Sequence, residues 1–460
     1  MAKIALIGAG SVGFTRNFLK DFLYDEKLRE QSEIFLMDIS AERLHLASEY
    51  ARIYSDALNI PIRCHATTDL REALSGANYV VTVIRSGELK HQVAEYEIPM
   101  KYGVDQVVAD SLGPGGVFRG LRALKALFPI LDAMENYCPG AYLFNYVNPM
   151  SLNTIALAKR ARTIKVFGLC HGVQGTAKRL ARYAGVAFEK LHFLCVGVNH
   201  QAFMLKLEAD GLDLYPRLRT LMNDRECKEY KADKVRFELM RAFDYFPTES
   251  SGHASEYVPY FRKRKDLLEK YCRCDCPHLA DGIDYGGMVA GESGAAIRAN
   301  RQLQAEYGKQ LRELQEGKSK PDLSPSAEYA MRLVSAIENN VPFSANLNVL
   351  NHGLIANLPP GSAVEVPCLV SGAGILPGRI LDYPEHLAAL NRNMINVQTV
   401  AAEGALCCDR HKIMQAIALD PLTGAVCSLP EIQAMTDELF DALHDELDPS
   451  FFSSSANTKK

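Results

Sequence analysis

Apolar, strand-length runs alternate with amphipathic helical runs over the first ~200 residues, a Gly-x-Gly-x-x-Gly turn follows the first run, and the alternation then stops. These observations predict an α/β chain. A Rossmann-type doubly wound parallel sheet over 1–198 binds a dinucleotide, and a mixed α+β domain over 199–450 carries catalytic, substrate and oligomerisation surfaces. The remaining segment, 451–460 (FFSSSANTKK), is expected to be a disordered tail.

The first strand, 4–7, lies within KIALIGAGSVG and runs directly into the glycine turn. Gly8 permits a tight turn, Gly10 leaves room for backbone to approach a pyrophosphate, and Gly13 lets the helix in FTRNFLKDFL pack close; Ser11 and Val12 complete the cradle. The helix N-terminus then holds the diphosphate. The second strand, 34–37, ends at Asp38, 25 residues beyond Gly13 (38 minus 13), where a carboxylate reaches the adenosine ribose hydroxyls. That acid favours NAD over NADP. Further strands are expected at 79–84, 141–145, 165–169 and 194–198, with helices such as 41–58 and 119–137 between them. Ligands of such sheets sit beyond the carboxyl ends of the strands. Polar residues gather there: Arg85 and Ser86, Asn145 and Asn148, Cys170 and His171, Asn199 and His200.

Past residue 200 a helix-rich stretch, 235–271, leads through DGIDYGGMVAGESG to a break at GKSKPDLSPS. Another helix, two β-branched strands (NLNVLN and AVEVPCLV) separated by NLPPG, and three helical runs follow. This half reads as a cap that lends side chains to a shared cleft. Net charge is -4 without a basic stripe, which argues against nucleic acid. No apolar run reaches the ~18 residues of a membrane span. The opening segment lacks a basic stretch followed by an apolar core, so a cytoplasmic location is expected. Twelve scattered cysteines are then reduced and packed. Cys272, Cys274, Cys276 and His278 in YCRCDCPH would place three thiols on one face of an extended segment, but structural zinc sites space their ligands differently. Unliganded thiols are the favoured reading.

Four motifs carry candidate chemistry. In ADSLGPGG, Asp110 precedes glycines whose amides suit an anion or part of a cofactor, and its carboxylate serves as acid or metal ligand, or simply caps the turn. In NYVNPM, Asn148 offers an amide to a sugar hydroxyl or a nicotinamide, or starts the next helix. GLCHGVQGT and GVNHQ present Cys170 and His200 where strands stop; a thiolate and an imidazole suit manganese, iron or zinc, although spacing alone favours a core cysteine and a hydrogen-bonded histidine. TESSGHASEYVPYF holds Tyr257, a base if a nearby cation lowers its pKa from about 10, or a tyrosine packed on a helix face.

Together IGAGS, DSLGPGG, NYVNPM, GLCHGVQGT, GVNH, TESSGHASEYVPYF, HGLIANLPPGSAVEVPCLV and HLAALNRNMINVQ resemble the family 4 glycoside hydrolases, nearest their α-galactosidase branch. The resemblance implies a lactate/malate dehydrogenase-like fold, NAD, and a divalent metal, manganese foremost, on Cys170 and His200. It also implies a mechanism outside the two-carboxylate scheme of most glycosidases. NAD takes hydride from carbon 3 of the sugar, a base takes the acidified proton from carbon 2, the aglycone leaves carbon 1, water adds and the hydride returns, without net redox change. Tyr257 matches the base. Asp110 and His171 are both candidates for leaving-group protonation or for ordering metal-bound water. Asn148 contacts sugar hydroxyls, and Arg85 and His253 are further substrate-binding candidates. A homodimer or homotetramer is expected.

The chain departs from that branch in having Gly172 where serine is common after Cys-His, Tyr260 where tryptophan is common near the base, and VIRSGE where Ile-Gly-Gly is usual. Arg85 suits a sugar carboxylate as well as a hydroxyl. Galactose leads, with α-glucosidase and α-galacturonidase or glucuronidase as alternatives. The lack of aspartate after Cys170 argues against 6-phosphorylated α-glucosides. The competing class is an NAD-dependent 2-hydroxy acid dehydrogenase, which needs no Cys-His pair.

Overall fold

The computed structural model describes residues 1–275, 277–280, 283–322 and 324–453. Six parallel strands, β1 (Ala2–Ile7), β2 (Ser32–Met37), β3 (Cys64–Thr67), β4 (Tyr79–Thr82), β5 (Tyr142–Asn145) and β6 (Lys165–Gly168), run in the order β3-β2-β1-β4-β5-β6. This is the doubly wound dinucleotide-binding order, with its crevice beside β1 and β4. Covering helices make the central strands apolar throughout, as in the fully buried YVVT of β4. Short, polar β3 (CHAT), mostly exposed at the sheet edge, carries no apolar signal, which is why the sequence did not announce it.

Local chemistry sets the helix ends. Ser40 caps Ala41–Leu58 by accepting from the Arg43 amide, and Asn59 closes it in the left-handed region. The helix expected at 119–137 begins earlier, as Gly113–Tyr137, because its glycines form the first turn. A Cβ on Gly115 would lie 2.4 Å from the Glu95 carbonyl oxygen, so glycine serves close packing there.

The second half does not form a separate cap. β7 (Leu191–Val198) and β8 (Gln201–Ala209) make an antiparallel hairpin extended by β9 (Leu212–Asp213); β10 (Leu279–Ala280) and β11 (Ile283–Asp284) pair apart from the main sheet. β12 (Phe343–Leu350) and β13 (Ala363–Ser371), with β14 (Gly374–Pro377) on β13, insert between β6 and β7. The registers Asn348↔Gly168 and Glu365↔Gly197 join both halves into one 12-stranded sheet. The stretch 235–271 is three helices, Lys234–Phe243, Ser251–Glu256 and Lys265–Tyr271, broken first at Asp244 with φ +68°.

Phe451 is buried in the turn Pro449–Phe452 against Phe440, so order extends past 451; residues 454–460 of the expected tail lie outside the described residues. No described helix is long and apolar enough to cross a membrane. No described cysteine is disulfide-linked; Cys272 is buried, and Cys276 lies outside the described residues.

Candidate functional site

The glycine turn sits at the carboxyl end of β1. Gly8 has φ +91° and donates to the Met37 carbonyl, and Thr15 Oγ1 donates to the Ala9 carbonyl at 2.7 Å, which fixes the loop against its helix. Val12–Tyr24 starts at Ser11, whose side chain makes no capping bond, so the first-turn amides of Val12 and Gly13 remain uncapped. Asp38 accepts from the Gly10 amide at 2.8 Å and from Ser40 at 2.9 Å. A Cβ on Gly8 would lie 2.8 Å from Ile84 Cα, and one on Gly10 would lie 2.6 Å from Asp38 Oδ2. Bare backbone, an uncapped helix start and an adjacent acid fit a dinucleotide.

Five chain segments converge beyond the strand ends to build a buried polar cluster. Cys170 follows β6, and its Sγ lies 3.4 Å from His200 Nε2, in the β7–β8 turn. The Gly172 amide, opening the helix Gly172–Ala184, donates to the same sulfur at 3.4 Å. The other nitrogen of His200, Nδ1, contacts Ser111 Oγ at 2.9 Å and Tyr257 Oη at 3.3 Å. Ser111 donates to Asp110 Oδ1, and Asn148 Nδ2 donates to Asp110 Oδ2 at 3.0 Å. His253 Nε2 stands 3.7 Å from Asp110 Oδ2, and Glu249 Oε1 stands 4.0 Å from His253 Nδ1. One oxygen, Asn148 Oδ1, is buried with no hydrogen-bond partner among the described residues.

Charge organises the cluster. Burial opposes ionisation of Asp110, but His253 and His200 outweigh it and hold the carboxyl well below its ordinary range. Burial opposes protonation of His253, yet Asp110 and Glu249 raise it to about 9. Burial and the surrounding carboxylates push the Cys170 thiol and the Tyr257 phenol well above their usual values. A cation would reverse that for both. Cys170, His200 and Glu249 each offer a ligand atom within 4.8 Å of the others, and so do Asp110, His200 and His253. A thiolate, an imidazole and a carboxylate are donors for a divalent transition ion, so these residues fit one.

Two candidates stand apart. His171 occupies the N-cap position of Gly172–Ala184 without a side-chain capping bond, is half-exposed, and has Nδ1 3.3 Å from Glu328 Oε1, which with Glu249 raises it to about 9. Arg85 lies exposed in the loop after β4 and donates to Gln92 at 2.8 Å; among the described residues no contact joins it to the buried cluster.

The family 4 glycosyl hydrolase model matches residues 3–186, and the C-terminal domain model of the same family matches 195–423. The chain belongs to the family 4 glycosyl hydrolases. It is 38% identical to an α-galactosidase of Bacillus subtilis (strain 168) over 97% of this chain and 99% of that one. It is 33% identical to an α-galactosidase of Rhizobium meliloti (strain 1021) over 95% and 87%. In fold it is similar to a 6-phospho-α-glucosidase from gut microorganisms solved with NAD and Mn2+, at a TM-score of 0.77 and 19% identity, covering 97% and 99%. Membership in the family sets aside the 2-hydroxy acid dehydrogenase reading.

Sequence reading of this family 4 chain missed Ser111, Glu249, Glu256 and Glu365. Glu256 accepts from the backbone amides of Val107, Val108 and Ala109, and so fixes the loop that carries Asp110. Glu365 is a buried carboxyl on β13 pushed up to about 8 by burial and by Glu249. A charged residue inside the β-branched run AVEVPCLV was a readable signal for it. Ser111 and Glu249 lie inside the quoted motifs ADSLGPGG and TESSGHASEYVPYF but have no spacing that singles them out.

Proposed function

We propose that this family 4 enzyme is an NAD- and manganese-dependent α-galactosidase. The observation that carries the reading is a single imidazole, His200, with Cys170 on one ring nitrogen and Tyr257 on the other, beside Asp110 and Asn148. Galactose is supported by the α-galactosidase relatives. When bound, NAD supplies reversible hydride removal at carbon 3, which acidifies the carbon 2 proton, and the divalent ion supplies charge for the oxygens of carbons 2 and 3.

The residues divide the remaining work. Gly8, Gly10, Ser11, Val12, Gly13 and Asp38 bind the dinucleotide, and Cys170 and His200 hold the metal. Tyr257 Oη takes the carbon 2 proton. The unpartnered Asn148 Oδ1 accepts from a sugar hydroxyl, which satisfies a buried oxygen at no structural cost. Asp110, with both oxygens already engaged by Ser111 and Asn148, orients Asn148 and His253. That leaves half-exposed His171 for leaving-group protonation at the rim.

The test is release of nitrophenol from p-nitrophenyl α-galactoside, α-glucoside, α-galacturonide and β-galactoside, with NAD, Mn2+ and reductant each omitted in turn. Hydrolysis of the α-galactoside that needs all three, without net NADH, is expected. Activity that survives removal of NAD would overturn the mechanism, and preference for the glucoside or galacturonide would overturn the substrate.

A further inference from the structure

Glu249 is a mostly buried carboxylate in an unusual position. Its backbone has φ +74°, a region an L residue enters only under constraint. Two bonds impose the conformation: its amide donates to Thr176 Oγ1 at 3.1 Å, and its carbonyl accepts from Arg236, which is itself paired with buried Asp233. The side chain that results is 19% exposed, and among the described residues its carboxylate accepts no hydrogen bond. A carboxylate so held and so little solvated calls for partners that satisfy its oxygens directly. His253 is the nearest cation, and at 4.0 Å it donates no hydrogen bond to Glu249.

What lies within reach is the Cys170–His200 pair, since all three ligand atoms fall within 4.8 Å of one another. Residue 172 decides whether the carboxylate can be there. A Cβ on Gly172 would sit 2.3 Å from Glu249 Oε2 and 3.4 Å from Cys170 Sγ, so any side chain at 172 would displace the carboxylate. We propose that Glu249 is a third protein ligand of the divalent ion and that Gly172 is the residue that admits it. This rests on the metal reading of Cys170 and His200 above. Thiolate plus carboxylate supplies two negative charges against a divalent ion, and an oxygen donor shifts the set towards manganese. The site then retains its ion when no sugar is bound.

The experiment is Mn2+ titration of the protein by electron paramagnetic resonance, without NAD or sugar, on wild type, Glu249→Gln, Gly172→Ala and Cys170→Ser. Circular dichroism checks each fold, and the thiolate-to-cobalt charge-transfer band of the Co2+-loaded proteins reports the sulfur ligand. Loss of an outer-shell partner alone costs ~10–100-fold in metal affinity. Glu249→Gln and Gly172→Ala are therefore each expected to weaken Mn2+ binding at least about 10-fold while keeping the cobalt–thiolate band. If Glu249→Gln fails to fold, Gly172→Ala decides, since it keeps all three ligand residues and displaces only the carboxylate. Affinities equal to wild type in both variants would overturn the proposal, as would a rise in KM for the galactoside at unchanged Mn2+ affinity, which would assign Glu249 to the sugar. Wild type that binds no Mn2+, or Cys170→Ser that binds it as wild type does, would instead overturn the metal reading itself.

Discussion

Glu256→Gln tests how the loop ahead of Asp110 is held. The glutamate closes the helix Ser251–Glu256, and its Oε1 accepts from Val107 and Val108 while Oε2 accepts from Ala109 at 3.2 Å. Ala109 is in the left-handed region at φ +51°, immediately before Asp110. Whichever way a glutamine amide turns, at least one buried backbone N–H faces an NH2 group, which costs ~1.5–3 kcal/mol for the lost charge-assisted bond. Unfolding entropy of about 2.1 cal/mol/K per residue gives roughly 1 kcal/mol/K for this chain, hence a fall in Tm of about 2–3 °C. Freed of one anchor, Ala109 relaxes and moves Asp110. A displacement near 1 Å costs on the order of 100-fold in rate. Scanning calorimetry and p-nitrophenyl α-galactoside kinetics should show the small Tm loss with kcat down about 10–100-fold, KM within about threefold and Mn2+ affinity unchanged. A variant that melts and turns over like wild type would refute the reasoning, and equal losses in Mn2+ affinity and kcat would assign Glu256 to the metal site instead.

Gly10→Ala puts a Cβ 2.6 Å from Asp38 Oδ2 and should raise the NAD dissociation constant at least about 10-fold by calorimetric titration, with little change in Tm. Arg236→Ala leaves fully buried Asp233 without its main partner; because Arg179 Nη1 remains 3.4 Å away, the loss should sit near the low end of ~3–5 kcal/mol in urea unfolding. Peroxide should abolish α-galactosidase turnover and a thiol reductant restore it, and Cys170→Ser should remove the activity; full Mn2+-dependent activity in that variant would discard Cys170 as a ligand. Glu135 is opposed by burial but lowered to about 2 by the amides of Arg162, Thr163 and Ile164 and the Thr163 hydroxyl. A depressed carboxyl stabilises above its unfolded pKa of about 4.5 and loses that contribution as pH falls toward 2, so Glu135→Gln should destabilise more at pH 6 than at pH 3.

How much of this was legible varies with what holds each part. β1, the glycine turn and Ala41–Leu58 depend on local chemistry, apolar runs, φ-permissive glycine and caps, and all three were readable. The strand neighbours were not. Strands at 165–169 and 194–198 suggest adjacent partners, since consecutive strands usually pair. Here β12 and β13, drawn from residues 343–371, separate β6 from β7. No local signal in NLNVLN or AVEVPCLV names its partner strand. Motif resemblance located Cys170, His200, Asp110 and Tyr257, but it was silent on which of them touch.

The contacts depend on three backbone residues that local propensity would place elsewhere. Ala109, His200 and Glu249 all have positive φ without being glycine, at +51°, +65° and +74°. Each such residue costs ~1–2 kcal/mol, so each needs a tertiary reason to persist. Ala109 has the Glu256 carboxylate, and Glu249 has Thr176 on one side and Arg236 on the other. His200 occupies the second place of a two-residue hairpin turn after Asn199, and with positive φ at that place alone the turn follows the type II pattern, which prefers glycine there. Its ring is held between Cys170 and Ser111. Glycine at 200 would relax the turn and lose the ring. The costly choice of histidine therefore points to selection for its two nitrogens, one facing the sulfur and one facing the phenol, over selection for the hairpin.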